Sequence, residues 1–88
     1  MDIEFFTPHG EVREGPINYV RELLVELHKA NKKISRAEVH FRSQSGDNIC
    51  EIELMKNGDS LFVQRKASTY EQAAREAIKE LQNKCVNR

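Results

Sequence analysis

Cys50-Glu51-Ile52-Glu53-Leu54-Met55-Lys56-Asn57-Gly58-Asp59-Ser60-Leu61-Phe62-Val63-Gln64-Arg65 alternates apolar and polar side chains on both sides of an Asn-Gly pair. A side-chain period of two marks a strand with one buried face. Asn57 and Gly58 both tolerate φ > 0, which a type I′ turn needs at its two central positions, so the pair predicts a two-residue hairpin. The loop length then sets the register: Lys56 faces Asp59, Leu54 faces Leu61, Ile52 faces Val63 and Cys50 faces Arg65. All the aliphatic residues fall on one face in this register, whereas a slip of one residue would turn one strand's set outward. Cys50, Ile52, Leu54, Leu61 and Val63 are therefore expected in the core.

Working upstream, Ala37, Val39 and Phe41 alternate with Arg36, Glu38, His40 and Arg42. They predict a further half-buried strand, joined to the first through the turn-forming Gln44-Ser45-Gly46-Asp47. From Pro16, a favoured first helical residue, Ile17, Val20, Leu23, Leu24 and Leu27 follow helical spacing, and this helix should end near Asn31 to Lys33. Ile3, Phe5 and Phe6 predict an opening strand, closed by the Thr7-Pro8-His9-Gly10 loop. Downstream, Ser68-x-x-Glu71 and Thr69-x-x-Gln72 both fit a capping box. Behind them Tyr70, Ala73, Ala74, Ala77, Ile78, Leu81 and Cys85 form a continuous helical stripe.

The order β-α-β-β-β-α, with one apolar face on each element, predicts a two-layer α+β domain: a four-stranded mixed sheet with both helices on one face. The first strand should run parallel to the second through a right-handed crossover. The chain of 88 residues has room for one core, so residues 1–88 are read as a single domain. No repeat, linker or low-complexity segment interrupts it.

Composition narrows the function classes. No apolar run approaches the roughly 18 residues of a membrane span. Asp2 and Glu4 around Ile3 and Phe5 do not resemble a signal peptide, so a cytoplasmic location is expected. Cys50 and Cys85 are too few for a disulfide scaffold and are not a C-x-x-C pair, so both are read as buried, unbonded thiols. His9, His28 and His40 share no metal-ligand spacing. His40 falls beside Glu51 in the inferred register, but no nucleophile accompanies the pair. No phosphate-loop pattern occurs either, so neither catalysis, a metal nor a cofactor is expected.

The formal net charge is zero, which argues against a protein coating nucleic acid with its whole surface. The distribution along the chain is uneven: segments 1–26, 27–42, 43–64 and 65–88 carry −4, +4, −3 and +3. From the first helix onward successive elements run antiparallel. The end of helix one, the Asn57-Gly58 turn and the end of helix two should therefore meet at one pole, collecting Lys29, Lys32, Lys33, Arg36, Lys56, Lys84 and Arg88. Glu11, Glu14, Asp47 and Glu71 fall at the other. Bases at helix C-termini complement the macrodipole; the same cluster is suited to a phosphate backbone. On the sheet's outer face His40, Arg42, Ile49, Met55 and Phe62 form a second candidate surface, for a protein partner.

The element order, the Ala67-Ser68-Thr69-Tyr70 step into an Ala-rich helix, and Leu81 to Lys84 resemble the short ribosome hibernation-promoting and ribosome-associated inhibitor proteins, once called sigma-54 modulation proteins. The resemblance spans nearly the whole chain. It implies a non-enzymatic factor that binds the small ribosomal subunit where messenger and transfer RNA lie, halting translation. The length implies the short type, without the C-terminal extension that pairs ribosomes in long members. Double-stranded RNA-binding domains share a helix, three strands and a helix, but open the last helix on a Lys-Lys-x-Ala-Lys stretch where this chain has Tyr70-Glu71-Gln72-Ala73-Ala74. The readings in play are thus ribosomal RNA binding through the basic pole, a protein-interaction module on the open sheet face, and a double-stranded-RNA-binding-like domain.

Overall fold

The two Gly-containing turns organise the sheet. In the computed structural model, which describes residues 1–7 and 12–87, Asn57 and Gly58 have φ of 56° and 81°, as a type I′ turn requires. Ser45 and Gly46 have φ of 54° and 86°, and Gln44 pairs directly with Asp47. The upstream connection is thus a second two-residue hairpin of the same kind. These turns link β2 (Ile34–Gln44), β3 (Asp47–Lys56) and β4 (Asp59–Ala67). The β3–β4 register matches the expectation at Lys56–Asp59, Leu54–Leu61, Ile52–Val63 and Cys50–Arg65. β1 (Asp2–Phe6) pairs in parallel with β2, and the order across the sheet is β1-β2-β3-β4.

Two helices complete the β-α-β-β-β-α order: α1 (Glu14–Ala30) and α2 (Tyr70–Asn87). α1 starts before the expected Pro16. Proline is accommodated there because an amide in the first helical turn has no intrahelical partner to lose. Thr69 caps α2: its Oγ1 accepts the Gln72 backbone N–H at 3.0 Å. The reciprocal half of a capping box is not formed, since the Gln72 side chain meets Ser68 and Glu76 instead.

Both helices bury their stripes against the same sheet face. Val20, Leu24 and Leu27 of α1 meet Ala37, Val39 and Phe41 of β2, Cys50, Ile52 and Leu54 of β3, and Val63 of β4 in one cluster with Ala73, Ala74, Ala77, Ile78, Leu81 and Cys85 of α2. The alanines of α2 bring its backbone close to the sheet. Phe41 lies between Phe5, stacked at 6.3 Å, and Tyr70, edge-on at 5.1 Å, so the opening strand and the start of α2 are joined through aromatic contacts. Leu61, expected in the core, is only half-buried: it packs on the cluster's rim from the edge strand.

Cys50 and Cys85 are free and buried. Burial first, and the Glu51 carboxylate second, push the Cys50 thiol from 9.0 up to about 12. Its neutral form is favoured in the folded state. The associated stability is therefore full below the unfolded thiol's pKa and is lost as pH rises from about 9 towards about 12. Cys50 should resist iodoacetamide in the native protein at pH 8 and react once urea unfolds it, with mass spectrometry of tryptic peptides as the readout. Rapid native labelling at Cys50 would contradict its place in the core.

Candidate functional site

The basic pole is assembled by backbone geometry. At the end of α1 the Asn31 N–H donates to the His28 carbonyl at 3.1 Å and the Ile34 N–H to the Asn31 carbonyl at 3.3 Å. The tight connection carries Lys32 and Lys33 on an exposed turn directly before β2. Ile34 is the register partner of Lys56, beside the Asn57-Gly58 turn. Lys56 Nζ in turn donates to the Cys85 carbonyl in the last turn of α2, at 3.3 Å. That contact satisfies a carbonyl without an intrahelical partner and places a cation at the negative end of the helix dipole. Three chain segments far apart in sequence therefore meet as the topology requires.

The lysines of this pole differ in their engagement. Lys29 is 3.2 Å from Glu26 and Lys84 is 3.4 Å from Glu80, which also pairs with Arg65. Lys32 and Lys33 have no acidic partner among the described residues. Arg36 stands on the outer sheet face opposite Met55. Its guanidinium is held by Glu38 at 2.9 Å and by Glu4. The hydrogen bond to Glu38, reinforced by Glu4, raises the Arg36 pKa, and the same bond holds the Glu38 carboxyl below its ordinary value. Arg36 thus adds no unengaged charge to the pole. Arg88, like Glu11 and the His9 loop, lies outside the described residues. At the opposite pole the Asn48 side chain donates to the Ser68 carbonyl at 2.9 Å, tying the start of β3 to the approach to α2 near Asp47 and Glu71.

The outer sheet face differs from its expected form in two respects. Ile49, expected to be exposed, is only 5% accessible. Its register partners Arg42 and Lys66 flank it, and long basic side chains cover apolar neighbours with their stems while keeping their charged heads in water. His40 and Glu51 are register partners but form no dyad. The imidazole stacks on Phe6 at 4.5 Å and lies 3.7 Å from Glu38, while Glu51 accepts from Arg42 at 3.0 Å and from Gln64 at 2.5 Å. Met55 is half-buried and Phe62 is 53% exposed. A shallow cavity of about 550 Å³ opens beside the Phe6–His40 stack. This stack went unseen in the sequence because no tight turn sets the register of a parallel pair. No cluster of metal-ligating side chains occurs among the described residues, and no helix among them is long and apolar enough to cross a membrane.

A family model described as sigma 54 modulation protein / S30EA ribosomal protein matches residues 3–86. No curated protein matches the chain in sequence. Among solved structures, a ribosomal subunit interface protein from Coxiella burnetii superposes with a TM-score of 0.90 at 11% identity, covering 99% of this chain and 96% of that one. The N-terminal domain of Protein Y from Thermus thermophilus superposes with a TM-score of 0.84 at 20% identity, covering 99% and 98%. At such identities the superpositions speak for the shared fold, while the family match runs over nearly all of the sequence. The chain belongs to the sigma 54 modulation protein / S30EA ribosomal protein family, a family of ribosome-associated proteins.

Proposed function

We propose that this protein is a non-enzymatic translation regulator of the hibernation type that binds ribosomal RNA of the small subunit through its basic pole. The observation that carries the reading is the exposed Lys32-Lys33 turn, without acidic partners among the described residues, set beside Lys56 and the end of α2. A compact cluster of this kind engages phosphates through charge while the rest of a neutral protein stays indifferent to nucleic acid. Family membership supplies the ribosome. The surface ion pairs at Lys29 and Lys84 are no obstacle, because exposed pairs are worth at most about 1 kcal/mol and exchange readily for phosphate.

The double-stranded-RNA alternative loses weight at α2, which opens on Tyr70-Glu71-Gln72 with an acid in its first turn where phosphate-gripping bases would stand. The protein-module alternative retains one specific observation, the exposed Phe62.

Sedimentation with purified small subunits tests the proposal. The protein should pellet with subunits at low salt and be released at moderate salt. If it stays in the supernatant at low salt while another family member pellets, the reading is wrong. Binding that is insensitive to salt but lost on Phe62→Ala would instead favour a protein contact on the outer sheet face.

A further inference from the structure

We propose that the free edge of β4 is a self-complementary surface that pairs antiparallel with β4 of a second copy of this chain, with Phe62 facing Phe62 across a two-fold axis. The strand order leaves β1 and β4 as edges, and β4 is the longer, at nine residues against five. Long edge strands are normally blunted by proline, a bulge, charged side chains or a covering element; of these β4 carries charges, Asp59, Arg65 and Lys66, and they are of both signs. β4 contains no proline, and its pairing with β3 runs without a register shift. It also carries Phe62, an exposed aromatic at mid-strand.

Backbone geometry restricts how a partner can add. In a two-residue hairpin the residues flanking the loop form a hydrogen-bonded pair, and the pattern alternates from there. Asp59, Leu61, Val63 and Arg65 therefore direct their N–H and C=O groups to β3, leaving those of Ser60, Phe62, Gln64 and Lys66 pointing outward. An antiparallel copy bonds to these groups only in registers that place even-numbered residues opposite even-numbered ones.

Side-chain chemistry selects among those registers. Centred on Phe62, the arrangement sets Asp59 against Arg65 of the partner subunit, Ser60 against its Gln64 and Leu61 against its Val63: an ion pair, a polar pair and an apolar pair, each formed twice. Centred on Val63, Leu61 would face an arginine and Asp59 an alanine. Centred on Leu61, Asp59 would face a valine. Only the first satisfies every position, and opposite charges or apolar partners directly across strands stabilise pairing while mismatches weaken it. Asp59 has no basic partner among the described residues, and the Arg65 side chain remains 43% exposed beside Glu80. The interface is isologous and closes as a dimer. Its axis sends the two Asn57-Gly58 turns to opposite ends, so Lys32 and Lys33 are left clear and dimerisation is separable from RNA binding.

Sedimentation equilibrium of the full chain over a wide concentration range tests the proposal. The expected result is a reversible monomer–dimer equilibrium. Phe62→Pro removes an outward N–H at the centre of the interface, a change that edge strands tolerate, and should abolish the dimer. Asp59→Lys and Arg65→Glu should each weaken association about tenfold, since each sets like charges opposite one another twice. An equimolar mixture of the two should restore it, because each variant's changed residue then faces an opposite charge. Circular dichroism reports whether each variant folds; if Phe62→Pro does not, the charge variants and their mixture decide alone. A chain that remains monomeric throughout, or a dimer indifferent to all of these changes, overturns the proposal. So does a monomer whose pelleting with ribosomal subunits is lost on Phe62→Pro, which would assign the edge to a foreign strand.

Discussion

Replacing Ile52 with alanine is expected to lower the unfolding free energy by roughly 2–5 kcal/mol in urea denaturation. Ile52 is fully buried in β3, between Val39 on β2 and Val63 on β4. The loss combines the transfer free energy of the atoms removed with a term for the cavity left behind. The layer above includes α2, whose Ala73, Ala74, Ala77, Ile78 and Leu81 belong to the same buried cluster, so truncation opens a cavity in a close-packed interior. A domain of this size has a total stability of roughly 5–15 kcal/mol, so the variant would lose a substantial fraction of it. The neighbouring Glu53 points to the outer face, where it accepts a hydrogen bond from Ser60. Glu53→Ala should therefore cost less than about 1 kcal/mol. Equal effects at the two positions would mean that the inward face of β3 has been assigned wrongly.

That assignment was already legible in the sequence, because the Asn57-Gly58 pair sets a register and the register sorts every side chain of two strands between faces. Convergence of the chain ends at one pole followed from antiparallel connectivity alone, and Lys56 bonded to Cys85 shows it directly. Other features depend on information that a linear pattern does not carry. Ser45-Gly46 forms the same kind of turn as Asn57-Gly58, yet serine is a weaker signal for φ > 0 than asparagine. Alternation placed Ile49 on the outer face correctly but could not foresee that it would be buried there between Arg42 and Lys66. A simple count of bases at the pole treated Arg36 as equal to Lys32. The parallel register of β1, which brings Glu4 alongside Glu38 and within reach of Arg36, is what sets the two apart.

The largest functional effect is expected from salt and from charge reversal at the Lys32-Lys33 turn. If Lys29, Lys32, Lys33, Lys56 and Lys84 each neutralise one phosphate, counterion release gives a logarithmic salt slope of about −3.5 to −4.5, taking roughly 0.7 to 0.9 per contact. Raising salt from about 50 to 200 mM should then weaken ribosomal RNA binding by about 10²–10³-fold. Lys32→Glu with Lys33→Glu removes two exposed lysines that have no carboxylate partner among the described residues, so the slope should become shallower by about 1.4 to 1.8 as well as the affinity falling. The fold should survive, because both side chains are exposed and neither forms an ion pair among the described residues. Arg36→Gln provides the contrasting case. Its guanidinium is already committed to Glu38 and Glu4, so its loss should leave the slope unchanged while releasing the Glu38 carboxyl from its lowered pKa. Filter binding to small-subunit RNA across a salt series, paired with thermal melts, measures both quantities. A slope that is unaltered in the Lys32/Lys33 variant, or altered equally by Arg36→Gln, would remove the basic pole from the RNA contact.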